Sequence, residues 1–376
     1  MNSKSKNDLS SKPQARIEVQ ELNSYNAPLE GRRKKLRLDF NENTIGPSPL
    51  VVNALREISA DQIAIYPEYA GIREEIVKNL SNNKLSYPLK VSQVEIFNGV
   101  DAAIHAIFTA FGEKNSLFLT TEPTFGYYFP CAQMQGMEIL KIPYEGEDFA
   151  FPFKRIKTLV KEKKPKIVFI CNPNNPTGTR LSPDKILEIA ECSPKTLVVV
   201  DELYEAFTGD SVLPKVDFSN HKNIILLRSL SKTAGLAGLR FGFALGNQKI
   251  LENIKSVTGP YDINSFAITA AIAALKDQKY IDSYVNEVLK AKEWIKNELK
   301  VNNINYHSAG GNYMLIWPNN NFLEVEENLK KIGILVRSMK NKPLIDKSLR
   351  VSIGTTKQMK DFWESYKKIE NINSLN

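Results

Sequence analysis

Between about residues 90 and 250, short apolar runs alternate with longer helical or irregular stretches. Six runs have the length and β-rich composition of strands: 94–97, 116–120, 166–171, 196–201, 223–228 and 240–246. In Leu197-Val198-Val199-Val200 the hydrophobicity is continuous rather than alternating, as in a strand covered by helices on both faces. This order predicts an α/β fold on a mostly parallel sheet. After Ile263 the texture changes. A helix over 266–276 leads to a Lys/Glu-rich amphipathic helix over 280–300. Strands over 313–317, 334–337 and 349–353 follow, with a helix over 323–331 and a last helix from about Thr356. That mixture predicts a smaller α+β domain. The division expected is a flexible polar extension over 1–24, a segment over 25–60 packing with the small domain, a large domain over 61–270 and a small one over 271–376.

Composition narrows the function classes. The chain is 42% hydrophobic and 24% charged, ordinary for a globular protein. No apolar run approaches the ~18 residues of a membrane span, so no membrane partner is expected. The opening residues lack the apolar stretch of a secretory signal and the acid-free character of a transit peptide. Together with three irregularly spaced cysteines (Cys131, Cys171, Cys192), this predicts a cytoplasmic protein without disulfides. The net charge of +8 is spread over predicted helix faces. Its densest run, Arg32-Arg33-Lys34-Lys35, has no interleaved aromatic residues, so no nucleic-acid partner is expected. Three histidines at unhelpful spacings predict no metal site.

Chemistry concentrates where predicted strands end. Ser229-Leu230-Ser231-Lys232-Thr233 follows the apolar run 224–227, and α/β folds place ligands at the carboxyl ends of strands. A lysine amine there can condense with an aldehyde once burial or a nearby cation lowers its pKa. Taken singly, Lys232 reads as a surface lysine. Arg240 lies eight residues on, within the Gly-rich stretch 235–242. With the two serines it offers hydroxyl, amide and guanidinium donors for a phosphate dianion. Asp201 ends a buried strand, where a carboxylate needs a cationic or hydrogen-bonding partner. A protonated pyridine ring would supply one, and a helix N-cap is the plain alternative. Tyr204 sits three residues further on. Asn172-Pro173-Asn174-Asn175-Pro176-Thr177-Gly178 is a rigid turn that presents Asn175 as a donor. Asn98-Gly99-Val100-Asp101 joins a strand to an apolar-faced helix, whose first N–H groups can bind an anion.

These motifs, in this order and spacing, resemble the fold-type I aminotransferases of class I and II from about Tyr25 to Gly354. The resemblance implies a seven-stranded, mostly parallel sheet flanked by helices, with pyridoxal 5′-phosphate (PLP) as cofactor. It implies that Lys232 holds the cofactor as a Schiff base and carries the catalytic proton. By the same likeness Asp201 pairs the pyridine nitrogen, and Asn175 and Tyr204 hold the 3′ oxygen. Gly99, Val100, Asp101, Ser229, Ser231 and Arg240 cradle the phosphate, and Phe125 stacks on the ring. Tyr66 matches a tyrosine that reaches a neighbouring subunit's cofactor, implying a homodimer, whereas on its own it reads as an exposed turn residue.

Among these enzymes the histidinol-phosphate aminotransferases are the nearest likeness. Leu38-Asp39-Phe40-Asn41-Glu42-Asn43 resembles their opening motif and implies a substrate contact at Asn43. Arg350 matches the arginine that grips a substrate carboxylate. Arg337, thirteen residues earlier, and Tyr25 match the partners that surround the substrate's phosphate. The implied reaction converts histidinol phosphate and 2-oxoglutarate to imidazole acetol phosphate and glutamate, in histidine biosynthesis. An aromatic amino-acid aminotransferase, or a PLP-dependent decarboxylase or lyase, remains open on the same cofactor site. A ligand sensor fused to a DNA-binding module does not, because some 25 leading residues cannot build such a module.

Overall fold

The computed structural model describes residues 12–22, 30–82 and 84–372. Seven strands form the large sheet: β1 (Val94–Phe97), β2 (Leu117–Glu122), β3 (Glu138–Pro143), β4 (Ile167–Cys171), β5 (Leu197–Asp201), β6 (Ile224–Ser229) and β7 (Gly242–Gly246). Their order is β1-β7-β6-β5-β4-β2-β3, with only β7 antiparallel to its neighbours. Every residue of β4, β5 and β7 is buried, because helices cover both faces, as the continuous apolar runs predicted. One side chain in two points to each face. Val198 and Val200 therefore join one core cluster, while Val199 joins the cluster beneath helix Val100–Phe111.

The seventh strand, β3, escaped the strand reading. It lies at the sheet edge and is mostly exposed or half-buried, so it carries no apolar run.

In the smaller unit, four strands pair antiparallel: β8 (Asn305–His307), β9 (Tyr313–Trp317), β10 (Arg337–Ser338) and β11 (Leu349–Ser352), in the order β10-β11-β9-β8. The strand expected over 334–337 is two. Ile334–Leu335 pairs parallel with Leu36–Arg37, and the chain then crosses to β10. The N-terminal segment is thereby tied to the small unit through Leu36–Arg37. Helix Gln278–Val301 spans about 36 Å and packs on the closing helix Thr356–Glu370. The boundary expected at 270 falls inside helix Ser265–Lys276, which packs on helices Pro49–Arg56 and Ile72–Ser81.

Candidate active site

A cavity of about 640 Å³ opens where the carboxyl ends of β1, β2, β4, β5 and β6 meet the small unit. Asp201, Ser229 and Asn175 arrive there because parallel strands deliver their trailing loops to one edge of the sheet. Val100, Asp101, Phe125, Tyr204, Ser231, Lys232, Arg240, Arg337 and Arg350 complete the expected residues that line it.

One end suits a phosphate. The Ser229 and Ser231 hydroxyl oxygens lie 2.8 Å apart, and both residues line the cavity together with Val100 and Asp101 of the first turn of helix Val100–Phe111. Arg240 donates to Asp101 at 2.8 Å from a left-handed backbone position (φ 59°). Gly99 has φ 80°, and a Cβ there would lie 2.5 Å from Arg240 Nη2, so only glycine lets the guanidinium close over the helix start. Gly99 is thus a support behind the cavity wall, outside its lining.

The other end is a buried acid. Asp201 is 2% exposed and accepts from Tyr128 Oη at 2.6 Å and from Leu203 N at 3.2 Å. Burial pushes its carboxyl up to about 6, although both hydrogen bonds work the other way. Among the described residues it has no ion pair, so a cation in the cavity is the partner that its position lacks. Phe125 packs edge-on to Tyr128 with ring centroids 5.5 Å apart. Tyr204 accepts from Asn41 Nδ2 at 3.0 Å, which leaves its own hydrogen to donate.

Between these ends lies Lys232. Its Nζ donates to the Phe40 carbonyl at 2.9 Å, and burial together with Arg350 brings the amine down to about 8. Arg350 donates to Asn175 Oδ1 at 2.8 Å and to the Asp39 carbonyl at 2.5 Å. Arg337 stands directly opposite Arg350 on the neighbouring strand. A phosphate cradle, an amine of lowered pKa and a buried acid fit a phosphorylated aldehyde carrying a basic ring nitrogen.

Besides Gly99, two expected residues of the described chain lie outside the lining. Asn43 does not line the cavity: it donates to the Thr233 carbonyl at 2.8 Å and accepts from Ile45 N and Gly46 N. Both ends of its amide bond backbone groups of the chain beside Lys232. Tyr66 is 71% exposed and stacks on Tyr261 at 4.2 Å, away from its own chain's cavity. Tyr25 lies outside the described residues.

The comparisons with known proteins agree with this geometry. Residues 33–365 match the family described as Aminotransferase class I and II. The chain belongs to that family. The histidinol-phosphate aminotransferase of Caldanaerobacter subterraneus subsp. tengcongensis is 31% identical over 346 residues, 91% of this chain and 94% of that one. The enzyme of the same name from Clostridium novyi is 31% identical over 345 residues, 91% and 93% of the two chains. In structure, the histidinol-phosphate aminotransferase of Sinorhizobium meliloti in complex with PLP superposes with a TM-score of 0.85, covering 96% and 99% of the chains at 20% identity. This aminotransferase is therefore a PLP-dependent enzyme of fold type I.

Sequence reading missed several aminotransferase cavity residues. Arg32, Leu203, Met339 and Lys342 also line the cavity, and Tyr128 backs it. The only signal for Tyr128 was its position three residues beyond Phe125, at the start of a helix. In sequence Arg32 is one member of the basic run Arg32-Arg33-Lys34-Lys35.

Proposed function

We propose that this aminotransferase moves the amino group of histidinol phosphate to 2-oxoglutarate. The observation that carries the proposal is the pair Arg337 and Arg350, opposite each other in register on β10 and β11 and lining the cavity that holds Lys232. Residues opposite in an antiparallel pair share one face, so both guanidiniums serve one anionic group. A phosphate dianion suits two forks better than one carboxylate does. The relatives named histidinol-phosphate aminotransferase support the same substrate.

When bound, PLP supplies an electron sink for the bonds at the substrate's α-carbon. The chain's residues do the rest. Lys232 tethers the cofactor, and with its amine near 8 a useful fraction is neutral around pH 7–8 and can take and return the α-carbon proton. Asp201, steadied by Tyr128, would hold the proton of the cofactor's ring nitrogen. Asn175 and Tyr204 would donate to the cofactor's 3′ oxygen, and Phe125 would cover its ring. Val100, Asp101, Ser229, Ser231 and Arg240 hold the phosphate, with Gly99 making room for Arg240. Exposed Tyr66 reaches the site of a second copy in a cytoplasmic homodimer.

An amino-donor panel against 2-oxoglutarate tests the proposal. Histidinol phosphate is expected to give glutamate with the highest kcat/KM. Rapid transfer from aromatic amino acids with none from histidinol phosphate would overturn it.

A further inference from the structure

Arg32 occupies an unusual place for a cavity arginine. Its Nε and Nη2 donate to Asp39 at 3.1 and 2.7 Å, and its Nη1 and Nη2 to Glu42 at 3.2 and 2.9 Å. Arg37 Nε adds a contact to Glu42 at 3.3 Å. Two carboxylates thus absorb the Arg32 charge, which makes it a poor ligand for a substrate anion.

What the fork grips matters more. The Asp39 carbonyl accepts from Arg350, and the Phe40 carbonyl accepts from Lys232. Asn41 donates to Tyr204. The Phe40 ring lies under the Arg32 guanidinium at 4.1 Å and faces Arg337 at 5.7 Å. Three consecutive residues therefore set the direction of Lys232, Tyr204, Arg337 and Arg350. Asp39 is itself 4% exposed, and its carboxylate would be buried without a cation if Arg32 were removed.

We propose that Arg32 is a positioning residue that clamps residues 39–42, so that this segment aims both anion-binding arginines and the cofactor lysine. It rests on the roles given above to Lys232, Arg337 and Arg350. Lysine cannot replace the fork, because a point charge cannot span both carboxylates in the same geometry. The phosphate cradle at the far end does not touch the clamp, so cofactor uptake is expected to change less than substrate-anion binding.

The test uses Arg32→Lys and Glu42→Gln in the full chain. PLP affinity of the cofactor-free protein is followed by fluorescence, and 2-oxoglutarate affinity by titration of the PLP-loaded form. The pH midpoint of the bound cofactor's visible band and the thermal midpoint complete the set. Arg32→Lys is expected to weaken 2-oxoglutarate about tenfold, the effect of one charge-assisted hydrogen bond. It is also expected to move the band's midpoint by about half a pH unit while PLP affinity stays within about threefold. Glu42→Gln, which leaves Arg32 on Asp39, shifts the same two quantities less. Unchanged 2-oxoglutarate affinity and midpoint in both variants would overturn the proposal. So would a joint fall of PLP affinity, anion affinity and thermal midpoint, the mark of general damage. Should Arg32→Lys fail to fold, Glu42→Gln decides alone. Wild-type protein that takes up no PLP would instead defeat the assignment of Lys232, independently of Arg32.

Discussion

Replacing Asp201 by Asn is expected to stabilise the cofactor-free protein and weaken the cofactor-bound one. The carboxyl is 2% exposed, and burial raises it from its ordinary 3.8 to about 6. A folded-state value above the unfolded one means that the folded chain binds the proton more tightly. The group's favourable share of stability is therefore whole below 3.8 and lost as pH rises through about 6. At ~1.36 kcal/mol per pH unit, the gap between those values amounts to about 3 kcal/mol by pH 8. Asn keeps the shape and can still accept from Leu203 N, while its amide donates to the Tyr128 oxygen. Urea unfolding of the cofactor-free proteins at pH 4 and pH 8 measures the difference. The variant should be more stable by roughly 1–3 kcal/mol at pH 8 and nearly equal to the wild type at pH 4. Its PLP affinity at pH 8 should fall by about tenfold or more, since the ring's cation loses its counter-charge. A cofactor-free variant no more stable than the wild type at pH 8 would refute the view that Asp201 waits buried for a cation.

Other substitutions separate the parts of the site. Gly99→Ala places a methyl 2.5 Å from Arg240 Nη2, pushing the guanidinium aside, and strains a φ of 80°, so PLP affinity should drop by about tenfold or more, read by fluorescence titration. Arg337→Gln removes one of two forks and should raise the KM for a phosphorylated amino donor by about 10- to 100-fold, with a smaller change in kcat. Tyr128→Phe deletes a 2.6 Å donation to a buried carboxylate, and the Asp201 carboxyl should titrate about one pH unit higher in the cofactor-free protein by carbon-detected NMR.

What was legible in the sequence follows from where the physics is local. Strands buried on both faces announce themselves as unbroken apolar runs, so β4, β5 and β6 and the residues at their ends are legible in the sequence. Edge strand β3, half-exposed, and three-residue β8 leave no such run. Arg337 was visible as a candidate, but a single apolar stretch hid the crossing between two sheets that sets it opposite Arg350. Asn43 illustrates a different limit. Its motif was legible, yet whether an amide faces a ligand or the backbone depends on Thr233, 190 residues away. Arg32 and Tyr128 owe their places to tertiary neighbours, Asp39 and Glu42 for one and Asp201 for the other. Their own surroundings in sequence are a basic run and an aromatic helix start.

Lys232 as the covalent tether is the claim on which the others depend. It is tested by adding PLP to the purified protein, reducing with borohydride and locating the modified residue by peptide mass analysis. An absorbance band at about 400–430 nm should vanish on reduction and leave the pyridoxyl mass on the peptide containing Lys232. A label on another lysine, or an unaltered band and label in Lys232→Ala, would contradict the account.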